Sequence, residues 1–287
     1  MNNKFVQVFA RVLVAALILT VCFFAVRKLV MNYVDENVTS VGGSPTETSR
    51  NTAEEVAESA EEKIKKLGAE EYVRQYARKN NIDFGEYPDY IIELLDKNPA
   101  AVDFVLEYPT ESKVKHKIDM SEYKNQKGVP LFIQWDKRWG YIKYGSSVAG
   151  ISACGPVSLS MVAYYLTKDK NMSPDKIIKF AKDNGYCVPG NGTLWSLISE
   201  GGKKLGLKVK ELSPAENTVR QNLEKGNPII CIMGPGDFTT IGHYIVLTGY
   251  EDGYVTVNDS NSYVRSEKKW KFSEIKDQIR NLWALSK

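Results

Sequence analysis

The hydrophobic positions of the chain follow two textures that meet near Gly128. Upstream lie one long apolar run and then thin helical stripes. Val12 to Val26 is uncharged and apolar, bracketed by Arg11 and by Arg27-Lys28. Residues 38–52 carry Gly, Ser, Thr and Pro with hardly a large apolar side chain, too little to bury for the segment to order itself. From Ala53 to Lys66 the spacing predicts a helix, glutamates early and lysines late in accord with the helix dipole, with Ala53, Val56, Ala60, Ile64 and Leu67 on a thin stripe. Two short amphipathic helices are predicted between Ala69 and Asn98, broken at Asn80-Asn81 and at Pro88. Another starts at Asn98-Pro99, carries Val102, Val105 and Leu106, and stops at Tyr108-Pro109.

Downstream the texture changes. Leu131-Phe132-Ile133 reads as a short strand entering an aromatic-rich turn that ends at Gly140. The segment Ile151 to Leu166 opens on small residues and then repeats apolar side chains at Val157, Met161, Tyr164 and Tyr165, which predicts a helix with one buried face beginning at or next to Cys154. Pro156 suits its first turn, where the missing N–H costs nothing. Ser173-Pro174 caps a helix ended by Gly185, Thr193 to Leu205 makes a third, and Ser213-Pro214 opens one ended by Gly226. Leu207 to Leu212 alternates like a strand, and Pro228 to Met233 is continuously apolar. Helices first and strands later indicate an α+β fold.

His243 to Tyr250 and Tyr254 to Asp259 are both rich in β-branched and aromatic residues, and Glu251-Asp252-Gly253 between them reads as a three-residue hairpin loop. Such a loop pairs Tyr250 with Tyr254 and hence His243 with Asn261. Asp259 is two residues from Asn261, so it shares a face with His243 as a diagonal neighbour, about 7–8 Å away at Cβ.

Composition narrows the classes. With 287 residues and 43% apolar content the chain can bury one sizeable core and still carry appendages. A net charge of +3, with no Lys/Arg run interleaved with aromatics, does not indicate a nucleic-acid surface. The four cysteines, Cys22, Cys154, Cys187 and Cys231, form no CxxC, and His116 and His243 are the only histidines, so a zinc site has almost nothing to build with. No metal or organic cofactor is implied. Cys187 and Cys231 stay open between a disulfide, if the domain is outside the cell, and two buried thiols.

The apolar run spans only about 22 Å at 1.5 Å per residue, against a hydrocarbon core of about 30 Å. Flanking residues extend it while Arg11 and Arg27 snorkel. It ends Phe23-Phe24-Ala25-Val26-Arg27, without the small-x-small pattern of a cleaved signal. The expectation is an uncleaved membrane anchor over residues 1–34, a flexible linker over 35–52, an α-helical stalk or leader over 53–127 and a separate folded domain over 128–287. A short N-terminal tail followed by one span and a large remainder favours an extracytoplasmic domain.

The candidate chemistry centres on Cys154. At a helix start its sulfur meets the positive end of the helix dipole, which favours the thiolate, and a nearby His⁺ lowers a thiol pKa further. Alone, such a cysteine is more often a small buried hydrophobe. His243 at a strand start, with Asp259 diagonally opposite, supplies the base and orienter that nucleophilic catalysis requires. His116 sits in a Lys-rich connector.

These residues resemble the C39-like branch of the papain-like cysteine peptidases. Gln134-Trp135-Asp136 with Trp139-Gly140, Ala153-Cys154-Gly155-Pro156, Gly242-His243-Tyr244-Ile245-Val246-Leu247 and Val257-Asn258-Asp259 occur in that family's order. The resemblance implies a papain-like fold, a nucleophile helix packed on an antiparallel sheet. It implies Cys154 as nucleophile, His243 as general base and acid, Asp259 as orienter and Gln134 as side-chain donor to the oxyanion. Two positions depart from the family pattern: Ala153 replaces a glycine, and Ser260 follows Asp259 where a proline is common. The expected function is a membrane-anchored cysteine peptidase acting on a peptide or protein substrate. An amidase or acyltransferase of cell-wall peptides, or an inactive peptide-binding module, is the alternative. Trp135 and Trp139 read as core residues before cleft walls, and Gly234 to Thr240 as a loop at the cleft without a phosphate-binding pattern.

Overall fold

A continuously apolar strand needs cover on both faces, and the sheet containing Ile229–Met233 has it: all five of its residues are buried. The computed structural model of the chain describes residues 60–190 and 192–287. The expected anchor and linker, and the start of the helix expected from Ala53, lie outside them. Among the described residues no helix is long and apolar enough to cross a membrane.

After a helical segment at residues 60–67 come α1 (Ala69–Asn80), α2 (Asp89–Lys97) and α3 (Val102–Leu106). The downstream part contributes α4 (Cys154–Thr167), α5 (Pro174–Asp183) and α6 (Glu216–Glu224). Its main strands are β1 (Lys208–Glu211), β2 (Ile229–Met233), β3 (His243–Glu251), β4 (Tyr254–Asp259), β5 (Trp270–Lys271) and β6 (Ile279–Ser286). They form an antiparallel sheet in the order β1-β6-β2-β3-β4-β5. Period-two alternation splits the core. Ile230, Ile232, Tyr244 and Val246 pack toward α4 and α5, whereas Ile229, Cys231, Ile245 and Leu247 pack toward Val219 and Leu223 of α6. Mixed helix and sheet, with helices on both faces, is the observed class.

Several local expectations are corrected. Helix α4 is not half-buried: every residue from Gly155 to Tyr164 is buried, because sheet, α5 and the segment before the helix enclose it. Its hydroxyls find backbone acceptors, Ser160 Oγ donating to the Met172 carbonyl at 2.6 Å. Leu131-Phe132-Ile133 joins no sheet, and the Gln134 N–H that follows it donates to the Ser260 carbonyl at 2.7 Å. Thr193 is paired with Cys187 in a two-residue ladder, so helical turns begin only near Leu197. Pro109 sits in the first turn of a short helix, Tyr108–Glu111, rather than ending one. Strand β6, between β1 and β2, is not among the elements the pattern predicts.

The hairpin holds two offsets that cancel. Glu251 pairs with Tyr254, so the turn is the two residues Asp252 and Gly253, both with positive φ (48° and 85°), as a type I′ turn requires. A bulge at Thr248 then shifts the register by one, and beyond it Ile245 pairs with Asp259. His243 and Asp259 therefore share a face, as the three-residue loop alone would also have placed them.

Helices α1 to α3 have their own core, including Val73, Ile91, Leu95, Phe104 and Val105, and belong to the same compact unit as the sheet. Phe104 stacks on Tyr141 with ring centroids 4.3 Å apart. It also occupies the space over Gly140 and Gly150, where a Cβ would lie 2.7 and 2.6 Å from its ring. Tyr141 donates its hydroxyl to the Phe104 carbonyl at 2.9 Å, and Lys137 pairs with Glu107. The side-chain amide of Asn98 donates to the Asn261 carbonyl at 2.9 Å, two residues beyond Asp259. Phe104→Ala is expected to destabilise the protein by about 3–5 kcal/mol and Gly150→Ala by about 1–3 kcal/mol, with a favourable coupling when the larger Gly150 side chain meets the smaller Phe104, measured by urea unfolding of the four variants of the cycle.

Candidate active site

Cys154 is the first residue of α4 and is partly exposed, while the helix behind it is buried. Ala153 precedes it with φ −102°, so that position demands no glycine and the first departure from the family pattern costs nothing in backbone strain. Gly155 is different: a Cβ there would lie 2.9 Å from Thr193, whose ladder packs directly on the helix start.

His243 opens β3 and Asp259 closes β4. His243 is 7% exposed, and its Nε2 lies 2.7 Å from Asp259 Oδ1. That contact assigns the ring proton to Nε2, donating to the carboxylate, and leaves Nδ1 free of it; the ring and the Cys154 thiol act on each other electrostatically. Asp259 is fully buried and its two oxygens are divided. Oδ1 accepts from His243 and from the Asn261 N–H at 2.8 Å, and Oδ2 accepts from Arg265 Nε at 2.6 Å.

Arg265 is the residue that the sequence reading missed. It lies on the short helix Tyr263–Glu267, whose N-cap Ser262 accepts the Arg265 N–H at 3.1 Å. The serine three residues before an arginine, just after the strand, was the available signal. Ser266 Oγ accepts the Asp259 N–H at 2.9 Å, so the carboxylate is fixed through its backbone as well.

Gln134 is buried in the turn that follows Leu131-Phe132-Ile133. Its Nε2 donates to the Gly150 carbonyl at 2.9 Å, and its Oε1 accepts from Ser260 Oγ at 3.0 Å. It therefore braces the approach to α4 against the residue next to Asp259. The second departure from the family pattern is also explained here: a proline at 260 would supply no hydroxyl to orient this amide, and Ser260 does.

The electrostatics follow from these contacts. Burial pushes the Cys154 thiol up, but the hydrogen bond and charge of His243, with backbone N–H groups of Tyr244 and Gly155, outweigh it and hold the pKa below the usual value. Burial would lower His243, yet the Asp259 charge and hydrogen bond, together with Cys154, raise it. Asp259 is pushed up by burial and held down, on balance, by His243 and Arg265. Cys231, buried without such partners, is only raised. Both directions favour the pair in which sulfur carries the negative charge and the ring the positive one.

A cleft of about 520 Å³ opens beside Cys154. Gly190, Gly192, Gly234 and Gly242 lie along its walls, and Trp195 (46% exposed) and Ile241 (88% exposed) stand at the rim. Trp139 is instead buried in the core, its indole N–H on the Ile133 carbonyl at 2.8 Å, and Trp135 stands edge-on to Tyr263. His116 pairs with Glu111, Nε2 to Oε2 3.2 Å, away from the cleft. Cys187 and Cys231 are free thiols. Among the described residues no three His, Cys, Asp or Glu side chains gather to hold a metal ion.

Residues 126–287, more than half of the chain, match the model of the peptidase C39-like family. The chain belongs to that family. Two solved structures are similar to this C39-like chain. One is the peptidase domain of Streptococcus ComA, a bifunctional ABC transporter involved in a quorum-sensing pathway, at 21% identity over 55% of this chain and 98% of that one, with a TM-score of 0.40. The other is a protein from Bacillus anthracis described as a C39-like peptidase, at 19% identity over 57% of this chain and 96% of that one, with a TM-score of 0.37. No curated protein matches the chain.

The pKa directions set a pH dependence. Because the Cys154 pKa is depressed, its alkylation by iodoacetamide is expected to stay on a plateau as pH falls through about 8.5, where a free thiol loses tenfold per unit, and to drop only below the depressed value. His243→Ala restores the ordinary profile. For stability, Asp259 contributes above its unfolded value of about 3.9 and the contribution is lost as pH falls through the lower folded value. His243 contributes fully below about 6.5 and loses it as pH rises through its raised folded value, so thermal melts across the two limbs report each group separately.

Proposed function

We propose that this protein is a cysteine peptidase using a Cys154-His243-Asp259 triad. The observation that carries the reading is the His243 ring, held on one nitrogen by a buried carboxylate at 2.7 Å and acting electrostatically on Cys154, whose thiol lines a cleft. The Cys154 thiolate attacks a peptide carbonyl carbon, and the carbonyl π electrons move to oxygen. Collapse of that tetrahedral species expels the amine, which takes its proton from His243 Nδ1, leaving a thioester on Cys154. Water, giving a proton to the same nitrogen, attacks the thioester and frees the acid and the sulfur. Asp259 keeps the ring oriented and supports its positive charge throughout.

The oxyanion is assigned to two donors. One is the Cys154 N–H, in a helix turn whose N–H groups have no acceptor within the helix. The other is the Gln134 amide, whose first N–H is spent on Gly150 and whose second remains for the oxyanion. The glycine-lined walls admit an extended backbone, and Trp195 and Ile241 offer apolar surface to substrate side chains. We further infer that the Val12 to Val26 run anchors the chain and that residues 128–287 form an extracytoplasmic catalytic domain behind a helical leader.

The full chain is expected to cleave members of a peptide library, with products read by mass. Cys154→Ala abolishes cleavage, and Gln134→Ala lowers kcat about 10²–10³-fold with little change in KM. Cleavage surviving in Cys154→Ala would sink the proposal; products carrying an added amine would point to acyl transfer. Protease shaving of intact cells is expected to release the C-terminal domain, and full protection would place it on the other side.

A further inference from the structure

We infer that Arg280 is a substrate-recognition residue that binds a carboxylate carried by the peptide, within about two residues of the bond attacked by Cys154. The inference rests on the peptidase reading of the same cleft and adds the chemical class of its substrate.

Four independent observations converge. First, Arg280 lines the cleft that Cys154 lines, and among the described lining residues it is the one basic or acidic side chain. Second, it is the extra residue of a β-bulge: Ile279 pairs with Met233 and Asn281 with Ile232, leaving Arg280 outside the ladder. A bulge re-aims one side chain away from the alternation of its strand. Third, the side chain lies across Gly234, where any Cβ would collide with Nε. Glycine at 234 and the bulge at 280 together make room for the guanidinium.

Fourth, Arg280 lacks the partner that every other described arginine has. Arg74, Arg78, Arg138, Arg220 and Arg265 each lie within 4.0 Å of a carboxylate. Among the described residues Arg280 has none. Asp237, the acidic residue of the loop that starts at Gly234, accepts instead from Gln278 Nε2 at 2.6 Å. A planar fork of five donors, left free in a cleft without acidic side chains, fits a carboxylate.

Register fixes the reach. Ile279, Met233 and His243 form one rung across β6, β2 and β3. At about 4.8 Å per strand, Arg280 starts about 10 Å from the His243 backbone. A peptide residue spans about 3.5 Å, so the bound carboxylate falls near the reacting bond, on an Asp or Glu side chain or on a C-terminus.

The test uses two thiol reagents of nearly equal size, iodoacetate, which carries a carboxylate, and iodoacetamide, which does not. Full-length protein is treated with each, and alkylation of Cys154 is followed by mass spectrometry. The iodoacetate-to-iodoacetamide rate ratio is expected to fall about threefold in Arg280→Gln, the factor given by a unit charge about 6 Å away in water, and further in Arg280→Glu, while Arg280→Lys keeps most of it. In parallel, the full-length Cys154→Ala variant is titrated with fluorescent peptides matched as Glu or Gln inside the sequence and as acid or amide at the C-terminus. Preference for Glu identifies an internal side chain, and preference for the acid identifies a C-terminus; either is expected to vanish when Arg280→Gln is added. An unchanged rate ratio in Arg280→Gln, or equal binding of all matched peptides, overturns the inference. Neither readout needs turnover, so a chain that cuts no peptide would refute the peptidase reading without deciding this one.

Discussion

A fully buried carboxylate is the constraint on which the rest of the structure depends. Removing Asp259 from water costs several kcal/mol unless both oxygens are paired and hydrogen-bonded. Here one oxygen faces an imidazole and a backbone N–H, and the other faces a guanidinium. Arg265 is thus more than a neighbour. A fixed cation on Oδ2 favours the ionised carboxylate independently of the charge on His243. That demand explains why β4 must be followed at once by a capped helical turn, which brings Arg265 back onto the strand end.

The second dependence runs through the backbone around Gln134. Its amide ties the Gly150 carbonyl, four residues before Cys154, to Ser260, one residue after Asp259. Phe104 presses on Gly150 from the helical region, and Asn98 holds Asn261. Both ends of the candidate triad are therefore buttressed from behind by residues that precede the family-matched region. None of the described cleft-lining residues comes from helices α1 to α3. Their contacts lie on the supports of the site and leave its mouth open.

What was legible in the sequence was local. A helix start at Cys154 follows from small residues before Pro156, and the shared face of His243 and Asp259 follows from period-two geometry. The face assignment held even though the turn is one residue shorter than expected, because the Thr248 bulge restores the register. What was illegible depends on partners distant in sequence. Nothing local marks Ile279–Ser286 as an interior strand, since its neighbours are β1 and β2. Leu131-Phe132-Ile133 has strand composition but joins no ladder, and it is the next residue, Gln134, whose N–H finds an acceptor in the loop past β4. Phe104 looks like any stripe residue until Gly140 and Gly150 are seen beneath it.

The position of β6 bears on how the molecule comes into being. Because residues 279–286 pair with both β1 and β2, the middle of the sheet cannot close until nearly the whole described chain has left the ribosome. Until then β1 has no partner on its inner edge, and neither does β2 on one side. Among the described lining residues Arg280 is the last to be made, so a nascent chain can hold a helix bearing Cys154 long before it possesses a groove. Assembly in that order separates the making of the helix from the making of the groove beside it.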